Sequence, residues 1–123
     1  MTAGTAKAKR TVKAVLIDAV ERTVTDVEIE PTLESYYELL RCQMIEAVRW
    51  AVPNNDLYVD EEGLLKRDPQ KWISINGHIY VGSGLVVGRP DENGNETSCT
   101  ITADALRDQV RFYNIEDLQE VPR

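Results

Sequence analysis

Three consecutive runs set the fold class: Val12-Lys13-Ala14-Val15-Leu16-Ile17-Asp18, then Arg22-Thr23-Val24-Thr25-Asp26-Val27-Glu28-Ile29-Glu30, then Pro31-Thr32-Leu33-Glu34-Ser35-Tyr36-Tyr37-Glu38-Leu39-Leu40. The first is almost continuously apolar, as a strand covered on both faces must be. The second alternates, with Thr25, Val27 and Ile29 on one side and Asp26, Glu28 and Glu30 on a side turned to water. The short link Ala19-Val20-Glu21 favours an antiparallel hairpin between them. In the third, Thr32 can cap a helix and Glu34 suits the positive end of its dipole. Leu33, Tyr36, Tyr37 and Leu40 then recur at helical spacing and predict one apolar face.

Further along, Met44 to Val52 reads as a strand, Pro53-Asn54-Asn55-Asp56 as a turn, and Leu57-Tyr58-Val59 as a short returning strand. Asp60 to Gln70 is a polar connection with Gly63 as its turn residue. Trp72-Ile73-Ser74-Ile75 suggests another strand. The stretch Ile79 to Gly88 is punctuated by glycines at 82, 84 and 88. Asn93-Gly94 marks a hairpin tip, with Thr97 to Ile101 as its return. Thr102 caps a last helix that buries Ala103, Leu106, Val110 and Tyr113. The expected fold is α+β: a curved antiparallel sheet of about five to seven strands with two helices packed on one side. Residues 12–115 form one domain, between a disordered basic tail at 1–11 and a C-terminal tail at 116–123.

With 123 residues, 42% hydrophobic and 28% charged, the chain can bury one core. It contains no apolar run of the ~20 residues a membrane span needs. Residues 1–11 do not make a secretory signal. Cys42 and Cys99 do not constitute a disulfide framework, so a cytoplasmic location is expected. Lys7, Lys9, Arg10 and Lys13 precede every acidic residue, which leaves 10 basic and all 21 acidic residues in 14–123, a net charge of −11. Such a body repels phosphates and argues against direct nucleic-acid binding. It is compatible with a DNA-mimicking inhibitor that offers carboxylates to a basic protein.

Catalytic and metal chemistry find little support. The single histidine, His78, sits beside Gly77 in an expected turn, and no catalytic residue is assigned. Gly82-Ser83-Gly84 misses the nucleophile-elbow spacing. Asp56, Asp60, Glu61 and Glu62 cluster around a turn but lack the calcium-loop pattern, and paired Cys/His ligands for zinc are missing, so neither metal nor cofactor is expected. The glycine stretch matches neither phosphate-loop pattern. A glycine-lined backbone beside Ser83 could still present amides to an anion.

Arginine with aromatic side chains is the usual means of holding a purine and its phosphate. Arg49, Trp50, Trp72, Tyr80, Ser83 and Arg89 are therefore the candidate ligand-binding residues. The same residue types anchor cores and protein interfaces, and spacing does not show that these six converge.

Val15-Leu16-Ile17-Asp18, Thr23 to Glu28, Leu33 to Leu40, Leu57-Tyr58-Val59-Asp60-Glu61-Glu62-Gly63-Leu64, Leu85-Val86-Val87-Gly88 and the hairpin ending at Gly94 together carry a resemblance. From about Val12 to Ile115 the chain resembles a family of small phage, prophage and actinobacterial proteins known only as a domain of unknown function, number three-eight-four-six. The resemblance implies a small cytoplasmic protein of a mobile element acting on host machinery, and it brings no catalytic residues with it. Three functions are expected in descending order. The first is a non-catalytic, oligomeric protein that sequesters a small nucleotide-derived immune signal and so counters antiviral defence. The second is an acidic, DNA-mimic inhibitor of a host defence protein. The third is a small enzyme.

Overall fold

The computed structural model describes residues 10–62 and 71–114. The polar connection with Gly63 and most of both expected tails lie outside them.

Strands β1 (Val12–Asp18) and β2 (Thr23–Ile29) form the expected hairpin, paired from Val12 opposite Ile29 to Asp18 opposite Thr23. Its turn is tied by Asp18 Oδ1, which accepts from the amides of Val20 and Glu21 at 2.9 and 3.0 Å. Helix α1 (Leu33–Leu40) starts where its cap predicts, with Thr32 Oγ1 accepting from the Ser35 amide at 3.2 Å. Strands β3 (Ile45–Val48) and β4 (Asn55–Asp60) follow, then β5 (Lys71–Ile75), β6 (His78–Val81) and β7 (Gly84–Gly88). Helix α2 (Ala103–Arg107) and strand β8 (Val110–Asn114) complete the described chain.

The α+β class and the antiparallel pairing hold, but the described strands divide between two sheets. One runs β2-β1-β7-β4-β3 and the other β6-β5-β8. The helices do not share a side. Tyr36 and Leu40 of α1 cover Val12, Ala14, Leu85 and Val87 on one face of the larger sheet. Val15, Ile17, Leu57 and Val86 on its other face pack against Ile73, Ile75 and Val110 of the smaller sheet and Leu106 of α2. The apolar run of β1 explains this arrangement: a strand with no polar face needs cover on both sides, and one helical layer supplies only one. Leu33, expected on the apolar face of α1, is 56% exposed.

Two expected elements are replaced. The last helix stops at Arg107, and Val110 to Asn114 instead form β8 along β5, with Val110 opposite Ile75 and Tyr113 opposite Trp72. Leu106 and Val110 fit helical and extended spacing equally, and Val110-Arg111-Phe112-Tyr113 is rich in residues that suit a pleated surface. The return of the 91–95 turn forms no strand. It lies beside β1 and β7, where the Cys99 amide donates to the Lys13 carbonyl and the Gly88 amide to the Thr97 carbonyl. The Asp91 turn itself is present, its carboxylate accepting from the amides of Asn93 and Asn95.

Helix α2 is fastened to β2 at the sheet's outer strand. The Ala103 amide donates to Asp26 Oδ1 at 2.9 Å, and Arg107 Nη2 donates to the Val24 carbonyl at 2.7 Å. The face of β2 expected to look at water is thus partly roofed by a helix. Arg10, placed in the expected tail, donates to the Glu96 carbonyl and lies 3.9 Å from the Glu96 carboxylate.

Candidate functional site

The end of β3, the start of β4 and the end of β7 meet at one corner of the larger sheet. Asn54, with φ 65°, turns the chain into β4. The buried Asn55 side chain then donates to the Pro53 carbonyl and to Thr100 Oγ1, and accepts from the Thr100 amide, each at 2.9 Å. Those bonds fix where β4 begins and bring the 97–101 segment over the corner. Gly88 permits the approach, because a Cβ there would lie 2.3 Å from the Ser98 carbonyl oxygen.

Asp56 is the centre of the corner. Expected in an acidic cluster around a turn, it instead belongs to β4 opposite Val87 and is 2% exposed. Its Oδ1 lies 3.6 Å from Arg89 Nε and 4.0 Å from Arg49 Nε. Neither distance is a hydrogen bond, and Oδ1 finds no hydrogen-bond partner among the described residues. Arg89 Nη2 meanwhile donates to the Arg49 carbonyl at 2.7 Å, which ties the two arginine-bearing segments together. The arginine side chains remain 69% and 44% exposed. One buried carboxylate thus steadies two guanidiniums through their Nε edges, and a local positive charge is left over. Trp50, next in the chain after Arg49, is 66% exposed, and its indole bonds to Tyr80 of β6.

Two tyrosines on the α1 side of the sheet adjoin this arrangement. The rings of Tyr36 and Tyr58 meet edge to face at 5.0 Å. Burial first, then the charges of Asp56 and Glu96, push the Tyr58 phenol above its ordinary value, while Arg49 opposes the shift. Burial likewise raises Tyr36, whose hydroxyl is buried with no hydrogen-bond partner among the described residues.

The six residues expected to bind ligand separate into three places. Arg49, Trp50 and Arg89 share the corner. Tyr80 is linked to it by a hydrogen bond with Trp50, and burial is the main cause that raises its phenol. Trp72 joins Tyr80 in a small recess of about 100 Å³ that also contains Glu46, Asp60 and Glu61. Ser83 stands alone, accepting from the Ala19 amide at 2.9 Å. It precedes β7 while Arg89 follows it, which separates the two by roughly 20 Å along an extended strand. The Gly82 amide beside it donates to the Lys71 carbonyl at 2.7 Å and so is engaged within the protein.

Sequence reasoning missed Asp56, Asn55 and Tyr58. The available signal was alternation: Asp56 and Tyr58 are two apart and share a strand face, which a turn assignment over 53–56 conceals. A groove of about 470 Å³ lies elsewhere, between β2 and residues 99–102, and its lining includes Lys13, Asp26, Glu28 and Ile101 but no arginine or aromatic side chain. The Cys99 thiol beside it donates to the Ile101 carbonyl, and burial raises its pKa, the reverse of nucleophile activation. No described helix is long and apolar enough to cross a membrane.

Fold and corner together define a small α+β protein with two exposed arginines gathered at one corner of its larger sheet. The chain belongs to the family described as Domain of unknown function (DUF3846), whose model matches residues 12–111. No curated protein and no solved structure matches it.

Proposed function

We propose that this is a non-catalytic binding protein of a phage or other mobile element. It captures a small nucleotide-derived immune signal inside the bacterial host cell and so withholds that signal from antiviral defence. The observation that carries this reading is the corner in which buried Asp56 holds Arg49 and Arg89 beside exposed Trp50. Guanidiniums suit a phosphate and an indole suits a base, and the arginines, just past the ends of β3 and β7, are gathered by Asp56 of β4. Assembly into a homo-oligomer with the corner at a subunit junction belongs to the same reading, since an exposed tryptophan beside arginine is the commonest composition of an interface anchor.

The test is a thermal-shift screen with nucleotides, cyclic oligonucleotides and ADP-ribose derivatives, followed by mass analysis of ligand recovered after heat denaturation. A ligand at a hundred times its Kd stabilises by about 2.7 kcal/mol, equivalent to a shift of roughly 10 °C for a chain of this size. The expected result is such a shift, recovery of the ligand unchanged, and loss of the shift in Arg49→Ala and Arg89→Ala. Recovery of an altered ligand would make the protein an enzyme. No shift, together with salt-sensitive capture of a basic host protein, would replace this reading with the acidic inhibitor.

A further inference from the structure

We infer that the recess between the end of β4 and the edge strand β6 binds the head of an organic cation, an alkylammonium or guanidinium group. Trp72, Ile79 and Tyr80 supply its aromatic and apolar wall, and Glu46, Asp60 and Glu61 supply its charge. The recess lies where the two sheets meet, with Glu46, Asp60 and Glu61 from the larger and Trp72, Ile79 and Tyr80 from the smaller. Glu46 lies opposite Val59 across β3 and β4, and the Glu61 amide donates to the Met44 carbonyl, which carries the pairing one step beyond β4. Asp60 is oriented by accepting from the Glu62 amide at 2.9 Å. Trp72 lies opposite Val81 and Tyr80 opposite Ile73, so the two aromatic residues leave β5 and β6 on different faces. The Tyr80 phenol is held by its bond with the Trp50 indole, and the nearby Glu46 charge adds to the burial that keeps it protonated.

The chemistry of this recess is the opposite of the arginine corner. Carboxylates beside aromatic rings attract a cation by charge and by the ring quadrupole, and they repel phosphate. Its size selects further. Small-molecule sites occupy roughly 300–1,000 Å³, whereas this recess holds about 100 Å³. It therefore accepts one cationic head and leaves whatever is attached outside. The inference uses neither arginine of the corner, only the Trp50 bond to Tyr80, and it stands whether or not a nucleotide binds there.

The experiment follows the two indole resonances of the ¹⁵N-labelled protein, assigned with Trp50→Phe, during titration with methylguanidinium chloride and with the tripeptide Gly-Arg-Gly. Sodium chloride at matched ionic strength is the control. The expected result is a saturable shift of the Trp72 indole that Glu46→Gln or Glu61→Gln weakens by roughly three- to tenfold. Both glutamates carry no core contact, so these variants keep the fold, and their unchanged remaining spectrum verifies it. Equal half-saturation by both probes identifies the free head as the ligand, and tighter binding of the tripeptide identifies a protein side chain. A shift no larger than that given by sodium chloride, or one indifferent to both glutamine variants, overturns the inference.

Discussion

Oδ1 of Asp56 stands 3.6 Å from Nε of Arg89, and the carboxylate is 3% exposed while the arginine is 44% exposed. A buried charge answered by a half-exposed one places the cost of burial on one partner. Asp56→Asn removes the carboxylate that gathers Arg49 and Arg89, and the expected loss is about 1–2 kcal/mol, below the figure for a fully buried pair because water screens the arginines. Urea unfolding at low and high salt measures it, and a smaller difference between wild type and variant at high salt is expected.

Gly88→Ala should be costly for a different reason. The added Cβ would meet the Ser98 carbonyl oxygen and Thr97 Oγ1 at 2.3 Å, and the Thr97 carbonyl is bound to the Gly88 amide itself. Overpacking against backbone costs about 1–3 kcal/mol. Denaturant midpoints check this, with Arg49→Ala as a comparison whose exposed side chain should cost less than about 1 kcal/mol.

Helix α2 is only five residues long, yet Leu106 is fully buried between the two sheets. Leu106→Ala should therefore destabilise by about 3 kcal/mol, a core value rather than one for a surface turn. Equilibrium unfolding followed by circular dichroism decides between the two.

Stability should fall in alkali. The phenols of Tyr36, Tyr58 and Tyr80 are all raised, chiefly by burial, so the folded state holds their protons more tightly than the unfolded chain. Their contribution is complete below the unfolded value of about 10 and is lost as pH climbs through the folded values. Melting temperature measured from neutral pH upward should stay level to about pH 10 and then drop. The tyrosinate absorbance lost in Tyr36→Phe, Tyr58→Phe and Tyr80→Phe variants should be the part that rises together with unfolding rather than before it.

The hairpin and α1 were legible because local signals agreed there: an apolar run, an alternating run, a capping threonine and helical spacing. Leu106 and Val110 illustrate the limit, since a separation of four satisfies both periods and only the open side of β5 selects the strand. Trp72 and Tyr80, expected beside the arginines, instead line a recess whose charged residues come from β3 and the end of β4. Those residues are glutamates and an aspartate, which chain order does not reveal. Ser83, a candidate because the glycines beside it could present amides to an anion, lies at the far end of β7 from Arg89. Asp56 was hidden by the turn residues Pro53 and Asn54 directly before it, whose signal outweighed one alternating pair.

Helix α2 lies along the outermost strand of the larger sheet, with Arg107 on the Val24 carbonyl and Asp26 on the Ala103 amide. Any chain that tried to lengthen the sheet there would have to dislodge that guanidinium and come alongside the exposed carboxylate of Glu28. Runaway stacking of copies through β2 is thereby discouraged, and a concentrated solution of the protein is steered away from fibrous growth at this border.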